Sequence, residues 1–432
     1  MSALVKVGLI GLGTVGSGTF NVLRRNKAEI ERRAGFAIEV IHVGARRNIA
    51  GCDLTDVKLS SDIFAVVEDP DIQIIVELIG GTTIAKELVL KAIENGKHVV
   101  TANKALIAEF GNVIFQKAKE RGVHVAFEAS VAGGIPILKT IREGLVANHI
   151  TSLAGIINGT TNYILTQMQN HQKDFQAVLC EAQKLGYAEA DPTFDIEGID
   201  AAHKLTILAS LAFGIPLQFS KVYTEGLASV TLDDISYAKA LGYTIKFLGI
   251  AKKTPEGLQL RVHPTLVPSE HLIAKVDGVL NALLIEGDAV GSTLYSGRGA
   301  GAEPTASAVV ADIVEVARLV FSQSKSCVPP LGFIGQVDEP ILSIDLINTA
   351  FYLRIEVEEK TGVLANISRI LSEHSISIKA ILQKPIHQQT GSVAIIIVTQ
   401  SVLEKTLNEA LGKIRKLPEV RADVAKIRIE EF

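Results

Sequence analysis

Cysteine is scarce in this chain: there are 3 in 432 residues. Cys52, Cys180 and Cys327 stand too far apart for a disulfide framework or a metal knuckle. A charge excess is also missing. Lysine and arginine total 43 against 47 acids, a net charge of −4, which leaves no electrostatic footprint for nucleic acid. Apolar runs are too short, or too broken by charge, to span a bilayer. The opening "MSALVKVGLIGLG" enters a strand-like run at once, without a basic region and a cleavable apolar segment. The histidines show no metal spacing, and there are no internal repeats or low-complexity tracts. These absences lead to the expectation of a soluble, cytoplasmic protein with neither a membrane nor a nucleic-acid partner. Apolar residues, by contrast, are plentiful at 47%. The chain exceeds what one core supports, so two or three domains are expected.

The first third alternates apolar strands, at 5–10, 37–44, 72–79, 98–101 and 123–128, with amphipathic helices, the first at 16–33. That alternation predicts a parallel sheet covered on both faces. The middle mixes longer helices with strands such as "ITSLAGIIN" and "ALLIEG", an α+β pattern, and "CVPPLGF" reads as a linker. After it come a strand at 351–357, a helix at 363–374, the strands "ISIKAIL" and "SVAIIIV", a helix at 402–414 and a strand at 420–429. This βαββαβ order predicts a ferredoxin-like module. The expected domains are 1–148 (with helix 304–321 packing back on it), 149–303, a linker at 322–348, and 349–432.

"VGLIGLGTVGSG" sets Gly11, Gly13 and Gly16 in G-x-G-x-x-G spacing between a strand and a helix, with Thr14 and Val15 inside the loop. The first glycine permits a tight turn, the second lets backbone approach a pyrophosphate, and the third allows close packing of helix on strand. The helix N-terminus offers N–H groups to phosphate. In that context the motif predicts a Rossmann-type dinucleotide site. The second strand ends in "VGARRN" rather than in an acid. Arg46 and Arg47 suit a 2′-phosphate, which favours NADP(H) while leaving NAD(H) possible; the alternative is a pair of solvated arginines. "GGTT", with Thr82, and "TANKAL", with Lys104, follow the third and fourth strands, where ligands of parallel sheets bind.

"DPTFDIEGIDAAHKLTILASLAF" crowds acids before an apolar helix, with Lys204 where they meet. Asp200 and Lys204 are four apart and share a helical face, so the carboxylate can orient an ammonium able to protonate a carbonyl oxygen. The bland alternative is an acidic surface loop followed by an ordinary helix pair. His203 points elsewhere and reads as packing, as does His124. In "EASVAGGIPI" small residues can turn carbonyls toward one point near Glu128, oxygen ligands for a hard cation, or they serve as a glycine-rich hinge.

In order, "GLGTVGSG", "TANKAL", "FEASVAGGIPI", "IINGTTNYIL", "LGYAEADPTFDIEGIDAAHK" and "GRGAGAEPTASAVVAD" resemble homoserine dehydrogenase over essentially the whole chain. "TGVLANIS" resembles the amino-acid-binding ACT domains, although many of these have proline where Thr361 stands. With no aspartokinase-like region ahead of the glycine loop, the resemblance is to the monofunctional form. It implies reversible NAD(P)-dependent interconversion of L-aspartate 4-semialdehyde and L-homoserine, toward threonine and methionine. It implies Lys204 as catalytic acid/base, with Asp200 and Glu189 holding substrate. Gly159, Thr160, Tyr187 and Asp195 would line the pocket, Lys104 would lie between substrate and cofactor, and Gly301 would close over the cofactor from the second domain. A monovalent cation, sodium, would sit at Glu128, Val131, Gly133 and Ile135. L-threonine is the expected regulator and a homodimer or homotetramer the expected assembly. Two other readings remain open at this point: a non-catalytic amino-acid sensor retaining a dinucleotide site, and another semialdehyde dehydrogenase, which would need a nucleophilic cysteine.

Overall fold

In the computed structural model, residues 4–46, 51–324, 328–384 and 392–432 are described; Arg47 and Cys327 lie outside them. The chain divides into two units. The first comprises Met1–Ile157, Asp200–Val222 and Leu280–Glu339; the second comprises Asn158–Ile199, Tyr223–Val279 and Pro340–Phe432.

The first unit is built on six short strands: β1 (Leu4–Ile10), β2 (Ala37–Gly44), β3 (Lys58–Ser60), β4 (Ile74–Glu77), β5 (His98–Thr101) and β6 (Val125–Ala126). They pair in the order β3-β2-β1-β4-β5-β6, every pair parallel. Their apolar runs are explained by burial on both faces. Val7, Leu9 and Val76 pack with Phe20 of helix Thr14–Arg25 and with Val309, Ile313 and Val316 of helix Ala302–Ser322. Ile10, Ile75 and Val99 pack on the other face with Leu88 of helix Thr83–Glu94 and with Leu106 and Ile114 of helix Lys104–Arg121. Strand order reverses between β1 and β4, so the crevice outside their carboxyl ends is the ligand position of this topology. An antiparallel ribbon of Ile150–Ile156, Leu280–Gly287 and Gly291–Arg298 belongs to the same unit. The helix expected over 16–33 is broken at Asn26. Its second piece, Lys27–Ala34, buries none of its residues, so no apolar stripe obliges it to continue the first.

The second unit contains an antiparallel hairpin, Tyr243–Thr254 with Gly257–Pro268. Strand Ala425–Ile429 joins it in parallel, Thr265 opposite Arg428. Strands Asn348–Glu358, Ser392–Thr399 and Ile378–Lys384 follow, each antiparallel to its neighbour. With helices Val363–Glu373 and Glu404–Ile414 these complete the expected βαββαβ module. The module is continuous with the hairpin rather than tethered to it, and buried ion pairs lie along the join. Arg428, 0% exposed, donates from Nε to Glu404 Oε2 and from Nη1 to Glu225 Oε2, both at 2.8 Å. Arg354 Nε donates to Asp234 Oδ1 at 2.8 Å, and Asp234 forms a capping box with Thr231 for helix Leu232–Ala240. Such pairs add little net stability when intact, but loss of one partner strands a buried charge at a cost of about 3–5 kcal/mol. No helix among the described residues is long and apolar enough to cross a membrane.

Candidate active site

The glycine loop leaves β1 and turns into helix Thr14–Arg25. Gly11 has φ +95°, and a Cβ there would lie 2.7 Å from the carbonyl oxygen of Leu78. A Cβ on Gly16 would fall 1.9 Å from the carbonyl oxygen of Gly11. Gly13 is the opposite case, with nothing within 4 Å of the point where a Cβ would stand. Two glycines thus close the turn and the third leaves it open, the cradle a pyrophosphate needs above a helix N-terminus. Thr14 is exposed and Val15 half-buried in the same turn. Arg46 is exposed, two residues past the end of β2. Ala302, just after Gly301 (φ +122°), packs on the loop's helix: a Cβ on Gly18 would lie 2.6 Å from its carbonyl oxygen. Gly301 belongs to the same unit as the glycine loop.

Past β4, Thr82 begins helix Thr83–Glu94 after two left-handed glycines, Gly80 and Gly81. Past β5, Asn103 caps helix Lys104–Arg121 by accepting the Leu106 N–H, which puts Lys104 on the first turn. Lys104 Nζ reaches Asp200 Oδ1 at 3.0 Å. Asp200 Oδ2 accepts from Lys204 Nζ at 2.7 Å, and the same ammonium donates to the Ile157 carbonyl at 2.7 Å. One buried carboxylate therefore holds both lysines. Helix Ile199–Phe213 is buried along nearly its whole length, so its polar head cannot drift. His203 is buried, stacked on Phe219 at 4.1 Å, with Nε2 3.3 Å from Glu109 Oε1 on the Lys104 helix. Burial holds its pKa below the ordinary histidine value despite Glu109.

Four of the expected pocket residues gather in the second unit. Asn158 caps helix Gly159–His171 through Thr161 N–H and donates from Nδ2 to Asp195 Oδ1 at 2.8 Å. The Thr160 hydroxyl donates to the Tyr187 carbonyl at 2.7 Å, and the Tyr187 ring packs on Tyr163 at 5.0 Å. Gly159, Thr160, Tyr187 and Asp195 are thus tied together around one helix N-terminus. Glu189 is exposed in the following loop, where its backbone carbonyl accepts from Gln183. Asp191 caps the next turn through Thr193 N–H and hydroxyl.

Glu128 is 3% exposed and accepts the N–H groups of Leu138 and Lys139, each at 2.8 Å. Burial, with Asp312 close by, pushes its pKa up to about 7. Ala132 (φ +54°) and Gly133 (φ +42°) are consecutive left-handed residues, which turn the carbonyls of the 131–135 loop out of register. Val131, Gly133 and Ile135 are buried there. Carboxylate and carbonyl oxygens form the donor set of a hard cation. No cluster of 3 or more His, Cys, Asp or Glu side chains that could hold a metal occurs among the described residues. Sequence reasoning missed Asn158 and Asn103, though each is an N-cap signal ahead of a helix, and it missed Glu77, which no motif marks.

Three family models match the chain: "Homoserine dehydrogenase, NAD binding domain" over residues 11–128, "Homoserine dehydrogenase" over 136–314 and "ACT domain" over 351–419. A homoserine dehydrogenase of Pseudomonas aeruginosa is 59% identical over 430 residues, 99% of each chain. The crystal structure of a homoserine dehydrogenase from Thiobacillus denitrificans superposes with a TM-score of 0.94 at 54% identity, covering 100% of both chains. A hyperthermophilic archaeal homoserine dehydrogenase in complex with NADPH gives a TM-score of 0.61 at 26% identity, over 73% of this chain and 98% of that one. The chain therefore belongs to the homoserine dehydrogenase family, NAD(P)-dependent oxidoreductases acting on a CH–OH group.

Proposed function

We propose that the enzyme reversibly reduces L-aspartate 4-semialdehyde to L-homoserine, with Lys204 as the general acid. The observation that carries this reading is the Asp200 carboxylate, 2.7 Å from Lys204 Nζ and 3.0 Å from Lys104 Nζ. A nicotinamide cofactor, when bound, supplies the hydride. Lys204 donates its proton to the carbonyl oxygen as that oxygen gains charge, and takes it back in the reverse direction. Asp200 keeps the ammonium protonated and aimed, and Lys104 adds a second positive charge at the same carboxylate. Glu189 and Asp195 offset the α-ammonium of the substrate, while Gly159 and Thr160, at the start of a 13-residue helix, present N–H groups suited to its carboxylate. Tyr187 and Thr160 brace each other at that end.

NADP(H) is the preferred cofactor in this reading, with NAD(H) accepted more weakly. Arg46 supports it: the guanidinium stands just past β2, where an acid would hold an unphosphorylated ribose. Gly11, Gly13, Thr14, Val15, Gly16, Thr82 and Gly301 hold the rest of the dinucleotide. Sodium fits the Glu128 loop with Val131, Gly133 and Ile135, where a cation offsets a buried carboxylate. L-threonine regulates through the ACT module, whose Gly362 (φ +91°) starts helix Val363–Glu373 at its ligand-type turn. The step serves threonine, methionine and isoleucine synthesis in the cytoplasm, in a homodimer or homotetramer. An acylating semialdehyde dehydrogenase, which would need a nucleophilic cysteine, is disfavoured because Cys52, Cys180 and Cys327 lie in none of the motifs that carry the resemblance.

NADPH oxidation with L-aspartate 4-semialdehyde, followed spectrophotometrically, tests the reaction. Lys204→Ala should lose roughly 10²–10⁴ in kcat while still binding NADPH; near-normal turnover would remove Lys204 from the mechanism. Arg46→Asp should raise KM for NADPH far more than KM for NADH, and equal effects would defeat the NADP preference. Initial rates should fall when sodium is replaced by a bulky organic cation and fall again on adding L-threonine. Indifference to either one removes that ligand.

A further inference from the structure

Glu77 ends β4 and is 0% exposed. Its carboxylate gathers donors from two separate loops. Oε1 accepts the Ile79 N–H at 2.9 Å and Oε2 accepts the Thr101 hydroxyl at 2.6 Å. Burial pushes the Glu77 pKa up, and the Thr101 hydroxyl, the Ile79 and Gly80 N–H groups and the Asn103 side chain pull it back toward the charged form. The network continues outward. Thr101 Oγ1 accepts the Asn103 N–H at 3.0 Å, and Asn103 Nδ2 donates to the Gly81 carbonyl at 2.6 Å. Asn103 Oδ1 accepts the Leu106 N–H at 3.1 Å, the cap of the helix that carries Lys104. The same 78–82 loop lies against the glycine loop, since the Leu78 carbonyl is what forbids a side chain at Gly11.

An ionised carboxylate accepts on both oxygens and donates on neither, which matches this set of donors. A glutamine would turn an NH₂ group toward donors that already need an acceptor, and an aspartate would fall short. Burying a charge is tolerated only where hydrogen bonds replace water, and here they also fix two loops at the ligand edge of the sheet.

We infer that Glu77 is a positioning residue for the cofactor: by joining the 78–82 and 101–104 loops it fixes the backbone at the nicotinamide end of the dinucleotide site and the direction in which Lys104 leaves its helix. The cofactor part rests on the dinucleotide-binding domain alone, and only the Lys104 part rests on the functional reading above.

Full-length Glu77→Gln, Thr101→Val and Thr101→Ser separate this role from simple stability. NADPH affinity is read by the cofactor's own fluorescence, alongside thermal melting and steady-state kinetics. Glu77→Gln and Thr101→Val should each weaken NADPH binding by roughly tenfold or more, the scale of a lost hydrogen bond to a charged group. They should also lower kcat while leaving KM for the semialdehyde near the native value. Thr101→Ser, which keeps the hydroxyl, should restore native binding. The double variant should fall short of the product of the two single effects, because both act through one network. A lower melting temperature with intact NADPH affinity would overturn the inference, as would native affinity in Thr101→Val. Should Glu77→Gln fail to fold, the Thr101 pair decides alone. Weakened NADPH binding in these variants, together with a Lys104→Ala enzyme of normal kcat, would retain the cofactor role and discard the Lys104 role.

Discussion

The Asp200 carboxylate is the fixed point of the candidate site. Its side chain is 6% exposed and meets Lys204 on one oxygen and Lys104 on the other. A lone buried carboxylate would be expelled or protonated, and a buried ammonium without that carboxylate would tend to lose its proton. Each charge is tolerable only in the company of the others. The surrounding structure explains how they are kept together. Asn112 joins the Lys104 helix to Leu217 by two hydrogen bonds, at 3.0 and 3.1 Å, and His203 stacks on Phe219 beside Glu109. Helix Ile199–Phe213 is thus pinned at both ends of the segment that matters, and the lysine spacing follows from packing as much as from charge.

The second unit places its ACT module in the same kind of relation. Strand Ala425–Ile429 pairs with the hairpin on one side and with strand Asn348–Glu358 on the other. Arg428, Arg354 and Arg261 each reach from one sequence segment to acids of another: Glu225 and Glu404, Asp234, and Glu430. A ligand that changed the module would act on strands whose charges are already shared with the hairpin and with the cap of helix Leu232–Ala240. Removing the module would strand those charges, so point substitutions test its role more cleanly than truncation.

Much of the fold was legible from the chain. The glycine loop announced itself by spacing and context, the C-terminal module by element order, and the Asp200–Lys204 pair by the helical interval. What escaped was long-range or doubly buried. The interval gives no hint that Lys104 shares Asp200, because that contact depends on two helices packing. Glu77 reads as the polar end of an apolar run, and only the donors arriving from β5 and its loop reveal what it does. The hairpin Tyr243–Thr254 and Gly257–Pro268 hid because both faces are covered and Lys246, Arg261 and His263 lie inside, which erases the alternation that marks a half-exposed strand. The break at Asn26 escaped because polar residues on both sides still carry good helix propensity.

The central claim is that one carboxylate keeps the proton donor charged and in place. The pH dependence of kcat for semialdehyde reduction, compared between the native enzyme and Asp200→Asn, tests it most directly. Loss of the negative charge should lower kcat and move its alkaline limb to lower pH, since the ammonium would then release its proton more readily. A lower kcat with an alkaline limb that does not move, or an unchanged rate, would contradict the account.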